Sequence, residues 1–129
     1  MRIDLWIHDL PSRLELAGDT VDDVANSDWV ASDDHRERLY SVEAQIWRIA
    51  QTTRKAADRP ADLLPFLDRS LRAVRSNVRL SLKIPVCDQY EGIELLEGLG
   101  RELDETIAEL EVFSQADDLP LRLVAGARS

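Results

Sequence analysis

The sequence predicts an all-α protein: an antiparallel bundle of three long helices with a shorter N-terminal segment beside it. Apolar residues recur with spacings of three and four along three stretches of more than twenty residues, as in helices that bury one face. A residue suited to capping precedes each stretch, and prolines follow the first two. Hydrophobic residues make up 44% of the 129 residues, which is enough for the core of one domain.

The N-terminal quarter is expected to contain only short elements. Apolar residues alternate over residues 3–7, which is the period of a short strand. Ser12 and Glu15 form a capping box for a short helix that Gly18 would end. A further short helix and a loop are expected over residues 19–31. We expect this segment to supply a fourth layer of the bundle, unless a second chain covers the open face.

The first long helix is expected over residues 33–58. Ser32 or Asp33 caps its N-terminus, and Pro60 ends it by disfavouring helical geometry in Arg59. Its apolar positions are spaced like a heptad repeat. They are Leu39, Val42, Ile46, Ile49, Thr53 and Ala56.

The second long helix is expected over residues 62–84. Asp62 is its capping residue, which places Pro65 in the first turn, where the missing N–H costs nothing. Pro85 ends the helix. The apolar positions are Leu64, Leu67, Leu71, Val74, Val78 and Leu82.

The third long helix is expected over residues 89–113, with Asp88 as its capping residue. Its apolar positions are Ile93, Leu96, Gly100, Leu103, Ile107 and Leu110. Gly98 and Gly100 weaken a helix by up to about 1 kcal/mol each relative to alanine. Either they let a bulky side chain such as Trp47 come close, or the helix simply tolerates them.

Residues 1–115 are expected to form one domain and residues 116–129 a C-terminal tail. Leu119, Leu121 and Leu123 alternate like a short strand. Such a strand would pair with the N-terminal one or with a second chain. The alternative is a disordered tail.

The chain is acidic: 16 Lys and Arg stand against 25 Asp and Glu, a formal net charge of -9. This sign disfavours broad nucleic-acid binding and anionic membranes, and it suits a basic protein partner. The composition also fits a protein of a high-salt cytoplasm, which would need no partner to explain it. The N-terminus has no secretory pattern, so we expect a cytoplasmic protein. The single cysteine excludes a disulfide framework within the chain.

Charge is segregated between the second and third long helices. Residues 61–87 hold five cations against two aspartates, and residues 88–129 hold three cations against eleven anions. The five cations fall within an arc of about 120° on the second helix. They are Arg69, Arg72, Arg75, Arg79 and Lys83. This basic stripe is a solvated face balanced by the acidic helix, a docking face for an acidic segment, or an anion site.

No catalytic, metal-binding or cofactor motif is expected. The glutamates of the third long helix lack facing acidic ligands on a second helix, so we interpret them as solvated. The candidates for binding a protein partner are the aromatic side chains and two glutamates of the acidic helix. These are Trp29, Tyr40, Trp47, Glu102 and Glu105.

The leading hypothesis is a non-catalytic interaction protein: an adaptor, regulatory subunit or inhibitor that acts through its charge-polarised surface. Its expected partner is another protein, basic in character, or a second copy of the chain. One alternative is a small all-α enzyme or anion-binding protein that uses the basic stripe. Another is a helical subunit of a nucleic-acid-associated complex, in contact through that stripe alone.

A short stretch carries a resemblance that bears on the enzyme alternative. Residues from Arg75 to Lys83, followed by Pro85 and Val86, resemble part of the all-α chorismate mutase family. The resemblance covers about a tenth of the chain. It implies cationic side chains that hold a dicarboxylate inside a bundle, with Arg75, Arg79 and Lys83 in that role.

Overall fold

The computed structural model describes residues 3–27, 32–83 and 90–116, and these ranges contain four α-helices and no strand. The helices are α1 (Ile3–Ala25), α2 (Asp33–Lys55), α3 (Pro60–Lys83) and α4 (Tyr90–Ala116). At 1.5 Å per residue each is roughly 35–40 Å long. None of these helices is long and apolar enough to cross a membrane. The strand expected near Leu119 lies outside the described residues.

The N-terminal prediction of a strand and two short helices is wrong, because residues 3–25 form the single helix α1. The alternation of apolar residues over 3–7 was interpreted as one face of a strand. In the helix, however, Leu5 is 61% exposed and does not share the buried face of Ile7. The residues of α1 that face the core repeat with spacings of four and three. They are Ile3, Ile7, Leu10, Leu14, Ala17, Val21 and Val24.

Two residues that commonly interrupt helices lie inside α1. Pro11 lacks the backbone N–H and crowds the carbonyl of Ile7, at a cost of about 3 kcal/mol. Burial of the apolar side chains on both sides contributes about 1.5–3 kcal/mol each and outweighs that cost. Gly18 does not end the helix, and its φ is negative. A Cβ at Gly18 would lie 3.1 Å from Nε1 of Trp47, so the glycine lets α2 approach.

The junction between α1 and α2 is closed by side chains of α2. Ser32 caps α2 and accepts a hydrogen bond from the backbone N–H of His35 at 3.3 Å. Arg36 donates to the carbonyl oxygen of Ala25, the last residue of α1. Since the last turn of α1 has no basic residue, Arg36 supplies the positive charge that favours this helix end.

The three long helices lie close to their predicted ranges, with shifted ends. α2 ends at Lys55 rather than residue 58. Pro60 was expected to stop α2, but it is the first residue of α3, a position in which its missing N–H costs nothing. Asp62 therefore lies in the first turn of α3 and is not its cap. α4 runs to Ala116, past the predicted end at residue 113.

Each helix packs against the next along the chain, and α4 closes the bundle against α1. The pairs Glu15–Arg54 and Asn26–Tyr40 show that α1 and α2 run antiparallel. The pairs Arg72–Glu111 and Arg79–Asp104 show the same for α3 and α4. α1 packs most extensively on α2 and less extensively on α4, which leaves room between α1 and α4. The largest fully buried side chains come from all four helices. They include Ile7, Leu10, Leu39, Ile46, Ile49, Leu67, Leu71, Leu96 and Leu110.

Candidate functional site

The basic stripe of α3 lies beside the acidic helix α4. Arg72 contacts both Asp68 of its own helix and Glu111 of α4, each with a 2.8 Å nitrogen–oxygen distance. These hydrogen bonds, with Asp68 contributing most and Glu111 next, raise the pKa of the Arg72 guanidinium. The side chain is therefore held between two carboxylates.

Two further arginines of the stripe share one carboxylate of α4. Asp104 Oδ1 lies 3.4 Å from Arg75 and 3.2 Å from Arg79. The Arg75 side chain is only 22% exposed, and its Nε is buried without a hydrogen-bond partner. Arg69 is exposed, with no ion pair to another described residue. The side chain of Lys83 lies outside the described part of the structure.

The pairing of the stripe with α4 bears on the anion-binding alternatives. Four clefts in the described part of the chain are lined by other side chains. The role implied by the chorismate mutase resemblance requires Arg75 and Arg79 to point into a cavity. Both side chains form ion pairs with Asp104 instead. A phosphate or carboxylate ligand would have to displace that carboxylate.

The aromatic candidates lie at the interface of α1 with α2. The Tyr40 hydroxyl donates to Asn26 Oδ1, next to the end of α1. Trp47 is half-buried against Gly18, and its indole N–H lies 3.5 Å from Glu43 Oε2. Trp29 lies outside the described residues. Tyr40 and Trp47 therefore join two helices of the bundle and do not meet the glutamate candidates.

Glu102 and Glu105 line a groove between α1 and α4, called here the α1/α4 groove. Its volume is about 350 Å³. Neither glutamate side chain forms an ion pair or hydrogen bond with another described residue. Apolar side chains from both helices line the groove beneath them. They are Leu10, Leu14, Ala17, Leu99 and Leu103.

The α1/α4 groove continues along α4 toward the N-terminal end of that helix. A smaller cleft of about 170 Å³ shares Thr20, Leu99 and Glu102 with it and adds Glu94 and Leu95. Exposed leucines lie along the groove: Leu16 is 69% exposed and Leu95 is 41% exposed. The result is a cleft with a buried apolar floor, whose accessible lining includes leucines, a threonine and carboxylates.

A hydrogen-bonded cluster holds α1 against α4 at one end of the groove, on the side nearer the C-terminal end of α4. Glu109 Oε1 accepts from Trp6 Nε1 at 2.9 Å and from Arg13 Nη1 at 3.0 Å. Arg13 Nη2 also donates to Thr106 Oγ1 at 3.1 Å. The Trp6 and Phe113 rings pack at 5.1 Å between centroids. This cluster fixes the spacing of the two helices.

The two flanks of α4 therefore differ in electrostatics. Asp104 and Glu111 face α3, where arginines neutralise them. Glu102 and Glu105 face the α1/α4 groove with no cation paired to either. Glu102 and Asp104 are two residues apart, about 200° around the helix, so the sequence could have assigned them to different flanks.

Two glutamates proposed from the sequence, Glu102 and Glu105, line the groove, and the sequence analysis did not predict its α1 side. Arg13, Leu16 and Thr20 follow the helical spacing of three and four along α1. That signal was hidden because the segment was interpreted as a strand and a short helix ending at Gly18. Comparisons with protein-family models, curated proteins and solved structures found no match for this chain. Function is therefore inferred from the α1/α4 groove.

Proposed function

We propose that this protein is a non-catalytic helical interaction protein, an adaptor, regulatory subunit or inhibitor, and that it binds its partner in the α1/α4 groove. One observation carries the proposal. Glu102 and Glu105 stand unpaired above an apolar floor, whereas Asp104 and Glu111 of the same helix are paired with arginines. Two exposed leucines, Leu16 and Leu95, lie along the same groove, so unpaired carboxylates and apolar side chains are accessible together.

The chemistry of the groove defines the partner. Leucine-like side chains would cover the exposed Leu16 and Leu95, at roughly 25 cal/mol per Å² of apolar surface buried. Lysine or arginine beside them would meet Glu102 and Glu105, and the net charge of -9 would attract such a segment over a distance. A second copy of the chain would bring like-charged faces together. The proposal therefore favours a basic protein segment over a homodimer.

A defined probe tests this proposal. The probe is a synthetic amphipathic peptide of leucine and lysine, about four helical turns long. Replacing Glu102 and Glu105 together by lysine should weaken its binding at least about tenfold, because attraction becomes repulsion beside the apolar floor. Fluorescence anisotropy of the labelled peptide measures the change.

A matched control separates a specific site from general charge attraction. Asp23→Lys with Glu37→Lys changes the net charge by the same amount at exposed positions outside the groove. This control variant should bind the peptide within about threefold of the unchanged protein, because distant exposed charges are screened by salt. Equal weakening in both double variants would contradict the proposal. A peptide with serine at every leucine should lose binding to the unchanged protein.

A further inference from the structure

Some arginines of this acidic chain are left without a partner. Four described arginines form neither a hydrogen bond nor an ion pair with another described residue. They are Arg38, Arg48, Arg69 and Arg101. Arg101 belongs to α4, whereas Arg38 and Arg48 line clefts between α2 and α3. In a chain whose net charge is -9, unneutralised cations between two neighbouring helices need an explanation.

A groove follows the line along which α2 packs on α3, called here the α2/α3 groove. Two clefts of about 220 Å³ and 110 Å³ form it. Arg38 and Leu80 line the first cleft, and Arg48 and Phe66 line the second. Arg69 follows Phe66 by three residues, so it lies on the same face of α3, and it is exposed. Three of the unpartnered arginines therefore lie along one groove.

The lining of the α2/α3 groove is accessible to a partner. Arg38, Ser41 and Arg48 of α2 are exposed, and Ala73 of α3 is exposed as well. Leu80 is 49% exposed. α2 also packs less extensively on α3 than on α1. Cations and an apolar side chain thus already face water together in the folded chain.

Carboxylates are kept away from the α2/α3 groove. Among the described residues, none that lines either cleft is acidic. Glu43 lies on the side of α2 that faces α1, and Asp68 is paired with Arg72 on the side of α3 that faces α4. Asp34 and Asp62 precede the first lining residues of their helices by one turn, at opposite ends of the groove. The groove itself is basic.

We propose that the α2/α3 groove is a second binding surface, which takes an acidic protein segment that carries leucines. Arg38 and Arg48 are ten residues apart, about 15 Å along α2, so they match carboxylates about three turns apart on a helical segment. Leu80 would contact the leucines of that segment. Burial of Leu80 and the opposite charges favour such a partner over a small anion. This inference goes beyond the proposed function and does not depend on it.

The two binding surfaces lie on opposite sides of the bundle. Each helix packs against the next along the chain and α4 closes on α1, so the boundary of α2 with α3 is opposite that of α1 with α4. One groove presents unpaired carboxylates and the other unpaired arginines. A protein with both grooves can join a basic segment to an acidic one, as an adaptor does.

A labelled peptide of leucine and glutamate, about four helical turns long, tests the proposal on the full chain. Arg38→Gln with Arg48→Gln should weaken its binding about fivefold to tenfold, because two pairs of opposite charges are lost. Fluorescence anisotropy measures the change at about 0.15 M salt, which screens the net charge of the protein beyond about 8 Å.

Arg101→Glu is the matched control, since it lowers the net charge by the same two units at an exposed arginine outside the lining of both grooves. This variant should bind the peptide within about twofold of the unchanged chain. Equal weakening in the control and the double variant would overturn the proposal. So would the absence of measurable binding to the unchanged chain.

An exposed leucine tests the apolar part of the contact. Leu80→Ser should weaken binding of the leucine–glutamate peptide about threefold or more, because the apolar contact is lost. Leu5→Ser, at a position of α1 that is 61% exposed, should leave binding unchanged. Equal effects of the two substitutions would contradict a site in the α2/α3 groove.

Two other occupants of the groove are outcomes of the same design. A single-stranded oligonucleotide with the charge of the peptide should bind more weakly than the peptide, since it offers no leucines to Leu80. Tighter binding that Arg38→Gln with Arg48→Gln removes would overturn the proposal in favour of nucleic acid. Sedimentation of the unchanged chain should show a monomer. A dimer that the same double variant disperses would assign the groove to a second copy and overturn the proposal.

The two peptides, used separately, distinguish this inference from the proposed function. Replacing Glu102 and Glu105 by lysine should leave binding of the leucine–glutamate peptide within about threefold, because those residues lie on the opposite side of the bundle. Failure of the proposed function would appear as insensitivity of the leucine–lysine peptide to Glu102 and Glu105. Failure of this inference would appear as insensitivity of the leucine–glutamate peptide to Arg38 and Arg48.

Discussion

Three of the glycines in the helices, Gly18, Gly98 and Gly100, play two different roles. Gly18 lies against the indole of Trp47, where a Cβ would come within 3.1 Å of Nε1 and 3.3 Å of Cε2. At Gly98 and Gly100 the nearest atoms to a new Cβ lie at 3.7 Å and 3.9 Å, which is ordinary contact. The close approach of Trp47 that was one interpretation of Gly98 and Gly100 is thus found at Gly18, and α4 simply tolerates Gly98 and Gly100.

Alanine substitutions should separate these roles. Gly98→Ala and Gly100→Ala should each stabilise the protein by up to about 1 kcal/mol, because alanine is the better helix former. Gly18→Ala should destabilise it by about 1 kcal/mol, because overpacking against Trp47 exceeds the same gain. Urea unfolding measures all three. In a Trp47→Ala background Gly18→Ala should become stabilising, and a destabilising effect there would contradict the assigned contact.

The fold places the Glu43 carboxylate where its charged form is disfavoured. Partial burial, and then the negative charges of Asp22 and Asp19, raise its pKa above the ordinary value of 4.5, although the hydrogen bond from Trp47 opposes this. The folded state therefore favours protonated Glu43. The resulting stabilisation is fully present below pH 4.5 and is lost as the pH rises through the higher pKa of the folded state.

Removing this charge should stabilise the protein at neutral pH only. Glu43→Gln should raise the free energy of unfolding by about 0.5 kcal/mol at pH 7 and leave it unchanged below pH 4, where the glutamate is already neutral. Glu37→Gln, at an exposed position of the same helix, is the control and should show no such gain. A gain from Glu43→Gln that is equal at both pH values would contradict this assignment.

The helices differ in how far sequence could predict them. In α2, α3 and α4 the apolar spacing is bounded by Ser32 and prolines, so local signals and packing agree. In α1 the local signals of Pro11 and Gly18 oppose the apolar spacing, and tertiary contacts decide the outcome. Burial against α2 and α4 keeps the helix continuous, and Arg36 satisfies its C-terminal end. Neither contact is visible in the sequence of α1 alone.

Two alanine substitutions distinguish one helix from a strand at the N-terminus. In α1, Ile7 is fully buried and Leu5 is 61% exposed. Ile7→Ala should therefore cost about 2–5 kcal/mol, and Leu5→Ala should change stability by less than about 0.5 kcal/mol. A strand would place both side chains on one face. Similar losses from both substitutions, measured by denaturant unfolding, would support the strand and contradict α1.

Across the whole molecule, the order of the helices around the bundle determines which carboxylates of α4 are paired with cations. The arginines of α3 neutralise one flank of α4, and the opposite flank faces α1, whose Arg13 reaches Glu109 but not Glu102 or Glu105. Charge counts from the sequence were enough to predict that one helix is basic and the next acidic. They could not give the groove, because its floor depends on Leu10 and Leu14 of an unexpected helix.

The central claim is that residues 3–25 form one helix that lies between α2 and α4, since this placement creates the α1/α4 groove. Nuclear Overhauser contacts within the uniformly labelled chain test it most directly. We predict contacts from the Trp6 indole to the Phe113 ring and from the Gly18 α-protons to the Trp47 indole, within one monomeric species. Cross-strand contacts from residues 3–7, or the absence of the Trp6–Phe113 contact, would contradict the claim.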